Sequence, residues 1–206
     1  MSKKVQPNLL TKRFEEALVF AARLHAGQLR KQSRVPYIAH LLGVAALVLE
    51  DGGSENEAIA ALLHDAVEDQ GGLKTLEEIR RRFGNAVAEI VKGCSDSYTT
   101  PKPPWKERKS GFLDSIRNAS AATRRVALAD KVYNARATLK DVQQEGDSAW
   151  EKFNGGKEGT LWYYRKLVDA FEDSGSTRML DEFKLTVAEL ERIAGKISGN
   201  EGKVSP

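Results

Sequence analysis

Ala60-Ala61-Leu62-Leu63-His64-Asp65-Ala66-Val67-Glu68-Asp69 sets a histidine and an aspartate side by side in the middle of an apolar helical run. Ile59, Leu62, Leu63 and Val67 have the spacing of one buried helix face. An ionised carboxylate is costly to bury unless it is paired or holds a metal. Adjacent helical residues lie about 100° apart, so His64 and Asp65 can reach one ion from the same helix. Glu68 and Asp69 follow one turn later, stacked over the pair at i+4. Gly71-Gly72 then ends the helix, leaving the second acidic pair near a C-terminus, where the dipole disfavours negative charge. Four polar groups therefore stand against local preference. Function explains all four; a satisfied core pair explains His64-Asp65 alone.

Other parts of the chain supply further ligands. Its three histidines are His25, His40 and His64. His40 follows Pro36-Tyr37-Ile38-Ala39 and opens the apolar run Leu41-Leu42-Gly43-Val44-Ala45-Ala46-Leu47. Asp130 interrupts a third apolar run, Val126-Ala127-Leu128-Ala129. His40, His64, Asp65 and Asp130 together offer two imidazoles and two carboxylates, a donor set suited to a divalent first-row metal. His25 lies at a helix end, where packing or capping suits it better than metal.

Taken in order, Tyr37…His40, His64-Asp65-x-x-Glu68-Asp69 and Leu128-Ala129-Asp130-Lys131-x-x-Asn134 resemble the signature of HD-type metal phosphohydrolases. More narrowly, the chain resembles the hydrolase domain of the RelA/SpoT homologues and the stand-alone small alarmone hydrolases. Those relatives carry Arg-Lys, a short variable stretch and Pro-Tyr-x-x-His; here this reads Arg30-Lys31, then Pro36-Tyr37-Ile38-Ala39-His40. The matching blocks run from about Phe14 to Leu139. An HD dipeptide alone is a weak signal, whereas the ordered set is a strong one.

At 206 residues the chain is most simply one domain, large enough for a substantial core. Charged residues at 30% and hydrophobic ones at 41% fit a globular protein, and a net charge of +3 argues for neither nucleic acid nor membrane as partner. The single cysteine, Cys94, excludes an internal disulfide and suits a reducing cytoplasm, with burial rather than chemistry as its role. Residues 1–8 and 198–206 read as flexible tails around a domain at 9–197. The N-terminus lacks the apolar core of a signal peptide, and no apolar segment approaches the ~20 residues of a membrane span.

Helices are expected from Thr11 to about Ala26, from Ile38 to Glu50, and from a Ser54/Glu57 capping box through His64-Asp65. A second capping box, Thr75/Glu78, is expected to start a helix ending near Phe83-Gly84. Further helices are read from Asn85 to about Lys92, from Trp105, and over Ala121–Asp141, Thr160–Glu172 and Thr177–Ile197. The proline-rich stretch from Ser95 to Pro104 cannot be regular helix and, at that length, suggests function. No segment shows strand alternation. The fold class is all-α: a compact bundle of about eight to ten helices, as the resemblance also implies.

The resemblance further implies one bound divalent metal, manganese, held by His40, His64, Asp65 and Asp130. It implicates Glu68 and Asp69 in catalysis, able to take a proton from water and orient it. Arg30 and Lys31 correspond to residues that grip nucleotide base and phosphates, and Tyr37 belongs to the same block. Asn134, at i+4 from Asp130, resembles an asparagine beside the substrate sugar, and Tyr163 or Tyr164 a tyrosine near the ribose. Lys102, Lys106, Arg108 and Lys109 form a second basic group, facing either a diphosphate or solvent. The implied partner is a small nucleotide polyphosphate, and the implied reaction is removal of the 3′-diphosphate of guanosine 3′,5′-bis(diphosphate). Leu41 replaces a proline common in relatives, and the stretch between Lys31 and Pro36 lacks their usual glycine. These departures leave open an adenine alarmone or the 2′-phosphate of NADPH as substrate. A silent nucleotide-sensing module remains a third reading.

Overall fold

A computed structural model describes residues 10–31, 33–98, 101–172 and 177–200, with side chains to residue 195. Ten α-helical segments form among these residues: α1 (Lys12–Leu24), α2 (Ile38–Glu50), α3 (Glu55–Leu63), α4 (Ala66–Asp69), α5 (Leu73–Phe83), α6 (Asn85–Cys94), α7 (Trp105–Arg117), α8 (Ala121–Glu145), α9 (Gly156–Glu172) and α10 (Arg178–Asn200). A 3-10 helix, Gly146–Lys152, joins α8 to α9. The described residues contain no strand beyond one antiparallel bridge between Leu29 and Pro36. The all-α expectation holds.

At the centre lies α3, wrapped by α1, α2, α6 and α8. Its residues from Ala58 to Leu63 have no exposed surface, as the unbroken apolar run Ala58-Ile59-Ala60-Ala61-Leu62-Leu63 requires. The 25-residue α8 forms the second spine, packing on α2, α3, α6 and α10. Arg124 ties the outer layer to it. Its guanidinium donates to the carbonyls of Ile116, Arg117, Ala170 and Phe171, so one cation closes the C-terminal ends of both α7 and α9.

Local chemistry sets the start of the central helix. Ser54 Oγ accepts from the Glu57 N–H, and Glu57 Oε2 accepts from the Ser54 N–H at 2.7 Å, completing the expected capping box. Glu57 then pairs with Arg125 of α8, which also holds Asp51 at 3.0 Å. The cap thereby locks α3 onto α8.

The end of that helix differs from expectation. The apolar pattern predicts one continuous helix through Asp69, but α3 stops at Leu63 and the single turn of α4 restarts at Ala66. The His64 imidazole lies 2.8 Å from the carbonyl of Ala61, the acceptor that a continuous helix offers to the Asp65 N–H. The histidine side chain thus competes with the backbone at the point where the ligands leave the helix. Gly71 and Gly72, both at positive φ, then terminate α4 as expected.

Three further boundaries move. Thr75 is no cap: α5 begins at Leu73, and the Thr75 hydroxyl donates to the Gln70 carbonyl at 2.6 Å. α8 continues past Asp141 to Glu145, and α9 starts at Gly156 rather than Thr160. The expected N-terminal tail at 1–8 and residues 201–206 lie outside the described residues, whereas 198–200, read as tail, belong to α10.

Candidate active site

Three elements bring the candidate ligands together: His40 near the start of α2, His64-Asp65 at the α3–α4 break, and Asp130 in the middle of α8. Donor atoms of His40, His64 and Asp65 all lie within 4.8 Å of one another. His40 Nε2 is 3.4 Å from Asp65 Oδ2 and 3.2 Å from Asp130 Oδ1. His64 Nε2 is 3.1 Å and 3.6 Å from the same two oxygens. Bonds of about 2.0–2.2 Å to a metal place neighbouring ligands roughly 3.0–3.5 Å apart. The distances from the two histidines to the two carboxylates, 3.1–3.6 Å, are close to that spacing.

One unpaired atom supports the same fit. With Nδ1 of His64 donating to the Ala61 carbonyl, Nε2 presents a lone pair to carboxylate oxygens and has no hydrogen-bond partner. Lone pairs converging in a buried space need a cation between them. Burial opposes charge on His64, but Asp65 and Asp130 outweigh it and favour a cation at Nε2, so its pKa lies well above the ordinary histidine value and a metal bound there would take the place of that proton. Burial likewise opposes charge on the two aspartates. His64 and His40 nevertheless keep Asp65 well below the usual carboxylate range, as Lys131 and the two histidines do for Asp130. His40 is held by rings, with Tyr37, His64 and Tyr133 at centroid distances of 5.5, 5.2 and 4.9 Å.

A second layer orients the carboxylates. Tyr37 Oη donates to Asp65 Oδ2 at 2.6 Å; burial and that carboxylate raise the phenol pKa, so it remains a donor. Lys131 Nζ reaches Asp130 Oδ2 at 2.6 Å, and Asn134 Nδ2 donates to Asp130 Oδ1 at 2.5 Å. Arg30 then donates to Asn134 Oδ1 at 2.9 Å, its guanidinium lying 5.7 and 5.8 Å from the Tyr37 and Tyr133 rings.

Glu68 and Asp69 stand beside this centre on α4. Lys102 bridges them, at 2.7 Å from Glu68 Oε1 and 3.7 Å from Asp69 Oδ1. Burial and the nearby Asp96 raise the Glu68 pKa against the pull of Lys102. A half-buried carboxyl with a raised pKa next to a metal-binding set suits proton transfer.

The family model of the HD domain matches residues 17–161. This chain belongs to the HD-domain family. Among curated relatives of this HD domain, the guanosine-3′,5′-bis(diphosphate) 3′-pyrophosphohydrolase MESH1 of Xenopus tropicalis is 43% identical over 134 residues, covering 64% of this chain and 72% of the relative. Its Homo sapiens counterpart is 40% identical over 140 residues, covering 66% and 73%. A solved structure of a metazoan ortholog of SpoT, described as hydrolysing ppGpp, superposes with a TM-score of 0.71 at 26% identity, covering 93% of this chain and 98% of that one.

The HD domain gathers most of the residues singled out from sequence, with exceptions. Arg30, Tyr37 and Asn134 join the ligand cluster, whereas Lys31 is exposed. Arg108 and Lys109 turn to Asp96, whose side chain is 5% exposed; Arg108 still lies 3.8 Å from Glu68. Lys106 sits over the Trp162 ring. Tyr163 is buried against Trp105 and Trp162 beneath Lys109, its hydroxyl without a hydrogen-bond partner. His25 takes the C-cap position of α1 and stacks on Tyr37 at 5.2 Å, as a packing and capping role requires. Cys94 is partly covered, and burial pushes its thiol pKa up, away from thiolate chemistry.

Sequence reasoning gave no role to Lys131, Asp96 or Gln28. Lys131 had a usable signal, since a lysine beside an aspartate in an apolar run must be paired if it is buried. Asp96 and Gln28 sit in polar loops that resemble any solvated segment.

Proposed function

We propose that this HD domain hydrolyses guanosine 3′,5′-bis(diphosphate) at its 3′ position, releasing pyrophosphate and leaving GDP. The observation that carries the proposal is the convergence of His40, His64, Asp65 and Asp130 beside Glu68 and Asp69. Relatives at 40–43% identity named for this reaction support it. The four ligands would hold one divalent ion, and manganese is our assignment among the metals such donors accept. When bound, such an ion polarises phosphoryl oxygens and acidifies water.

The chain's own residues supply the rest. Glu68 accepts the proton of the attacking water, and Asp69 orients that water. Arg30 offers a flat cation already positioned by Tyr37, Tyr133 and Asn134, suited to a purine face. Lys31 contributes charge at the rim, and Asn134 lies beside the sugar. Lys102, Arg108 and Lys109 offset the charge that builds on the oxygens of the 3′-diphosphate under attack, with Tyr163 beneath them, and the proton taken up by Glu68 is returned to the 3′ oxygen as its bond to phosphorus breaks. A reducing, cytoplasmic setting accords with the single, partly covered thiol.

Purified protein, supplied with manganese and given guanine and adenine alarmones and NADPH, tests the proposal through released phosphate and pyrophosphate. The guanine alarmone is expected to give GDP and pyrophosphate. In ¹⁸O-labelled water the bond between the 3′ oxygen and its phosphorus breaks, so label enters pyrophosphate and the nucleoside oxygen stays unlabelled. Labelled orthophosphate with no pyrophosphate would favour a phosphatase instead.

A further inference from the structure

We propose that Gln28, clamped by His25 and Gln70, is a positioning residue that holds the Asp69 carboxylate in its working orientation. The inference rests on the reading of Asp69 given above. Gln28 Nε2 donates to Asp69 Oδ2 at 2.9 Å, while the other oxygen, Oδ1, faces Lys102 at 3.7 Å. One oxygen is thus held and the other left toward the cationic side of the site.

The amide has only one way round. Gln28 Oε1 receives Gln70 Nε2 at 2.7 Å and lies 2.7 Å from His25 Nδ1, so two donors meet on its oxygen side. A flipped amide would aim N–H groups at both donors and its oxygen at the carboxylate. The His25 tautomer follows as well, with the proton on Nδ1 and a buried Nε2 that has no partner. A stack of 5.2 Å on Tyr37 keeps the His25 ring in place, and Tyr37 in turn holds Asp65.

The backbone fixes Gln28 equally. Its N–H donates to the His25 carbonyl at 3.0 Å, and its carbonyl accepts from the Tyr37 N–H at 2.9 Å. The bridge between Leu29 and Pro36 closes the same hairpin. One short segment therefore delivers the ligand His40, the hydrogen bond from Tyr37 to Asp65, and the hydrogen bond from Gln28 to Asp69. Asp69 needs this support, because it ends a single helical turn that is followed, after the cap residue Gln70, by two glycines at positive φ. Nothing within that turn restrains its carboxylate.

The test compares Gln28→Leu, Gln28→Glu, Asp69→Asn and the double variant Q28L/D69N, using the manganese-loaded protein and guanosine 3′,5′-bis(diphosphate). Gln28→Glu keeps shape and the acceptor for His25 and Gln70 but removes the donor to Asp69. Both Gln28 variants are expected to lose about 10–100-fold in kcat, with KM, bound manganese and Tm near wild type. Q28L/D69N should be no slower than D69N, since Gln28 acts only through Asp69. If D69N has no measurable turnover, Asp69→Glu takes its place in the cycle. A readout independent of turnover is the Gln28 side-chain amide resonance in ¹⁵N spectra, expected to move in D69N. Wild-type kcat in Q28E, losses that multiply in the double variant, or an unmoved amide resonance would overturn the positioning role. Wild-type kcat in D69N would instead remove the reading of Asp69 on which it stands.

Discussion

Alanine at Gly43 would place a Cβ 2.0 Å from Cε2 of Tyr133, 2.6 Å from Cδ2 and 3.0 Å from Cζ. Carbon atoms in contact settle at ~3.5–4.0 Å, so the ring must retreat by roughly 1.5 Å or α2 must part from α8. The ring is not free to swing. It meets His40 at 4.9 Å, lies beneath Arg30 at 5.8 Å, and donates its hydroxyl to the Ala39 carbonyl at 3.4 Å. Overpacking of this kind costs about 1–3 kcal/mol. Alanine in place of glycine in a helix interior offsets about 0.8–1.0 kcal/mol of that. The net loss is about 1 kcal/mol at mid-range, or a Tm lower by about 2–4 °C at this chain length. Displacing His40 should also weaken binding of the proposed divalent metal. The same substitution at Gly111 of α7, where a Cβ meets nothing within 4 Å, should raise Tm instead. Thermal unfolding followed by circular dichroism, with a metal titration alongside, measures both. Leucine at Tyr133 should abolish the penalty of G43A. If G43A melts at or above wild type, or carries the same penalty in the Tyr133→Leu background, the close approach of α2 and α8 does not constrain this site.

Three other outcomes are expected. His64→Ala and Asp130→Ala should each lose stoichiometric metal in elemental analysis of the purified protein; full occupancy in either would remove that residue from the ligand set. Glu68→Gln should keep the metal and lose ~10²–10⁴-fold in kcat, as for a general base, whereas normal turnover would return the residue to a structural role. Burial of Glu57 raises its pKa, but the Ser54 cap and Arg125 outweigh it and leave the carboxyl below its ordinary value. Its stabilisation is therefore full above the unfolded pKa of ~4.3 and is lost as pH falls through the lower folded value. Tm against pH should accordingly fall less steeply in Glu57→Gln below about pH 4.3, and an unchanged slope would remove Glu57 as the linked group.

Signals that act within a few residues were legible in the chain itself. The Ser54/Glu57 cap and the Gly71-Gly72 stop form as the pattern predicts, and so do the helices of the apolar runs, except that the run holding His64 breaks. His40, His64, Asp65 and Asp130 could be nominated because a polar group inside an apolar run is conspicuous wherever its partners lie. The helix break at His64 was not legible, because it depends on which acceptor one imidazole takes once the surrounding helices have fixed its rotamer. Nor were the pairs that complete the site. Arg30 meets Asn134 across 104 positions, Gln28 meets Asp69 across 41, and Asp96 draws in Arg108 and Lys109 from the next helix. In each pair at least one partner, Arg30, Gln28 or Asp96, lies in a polar stretch that reads as solvated. Hydrogen bonds reach only ~3 Å, so which polar groups meet is decided by where helix packing places their backbones. Pattern in the chain determined the helices and nominated the ligands; packing of α1, α2, α4 and α8 decided what surrounds them.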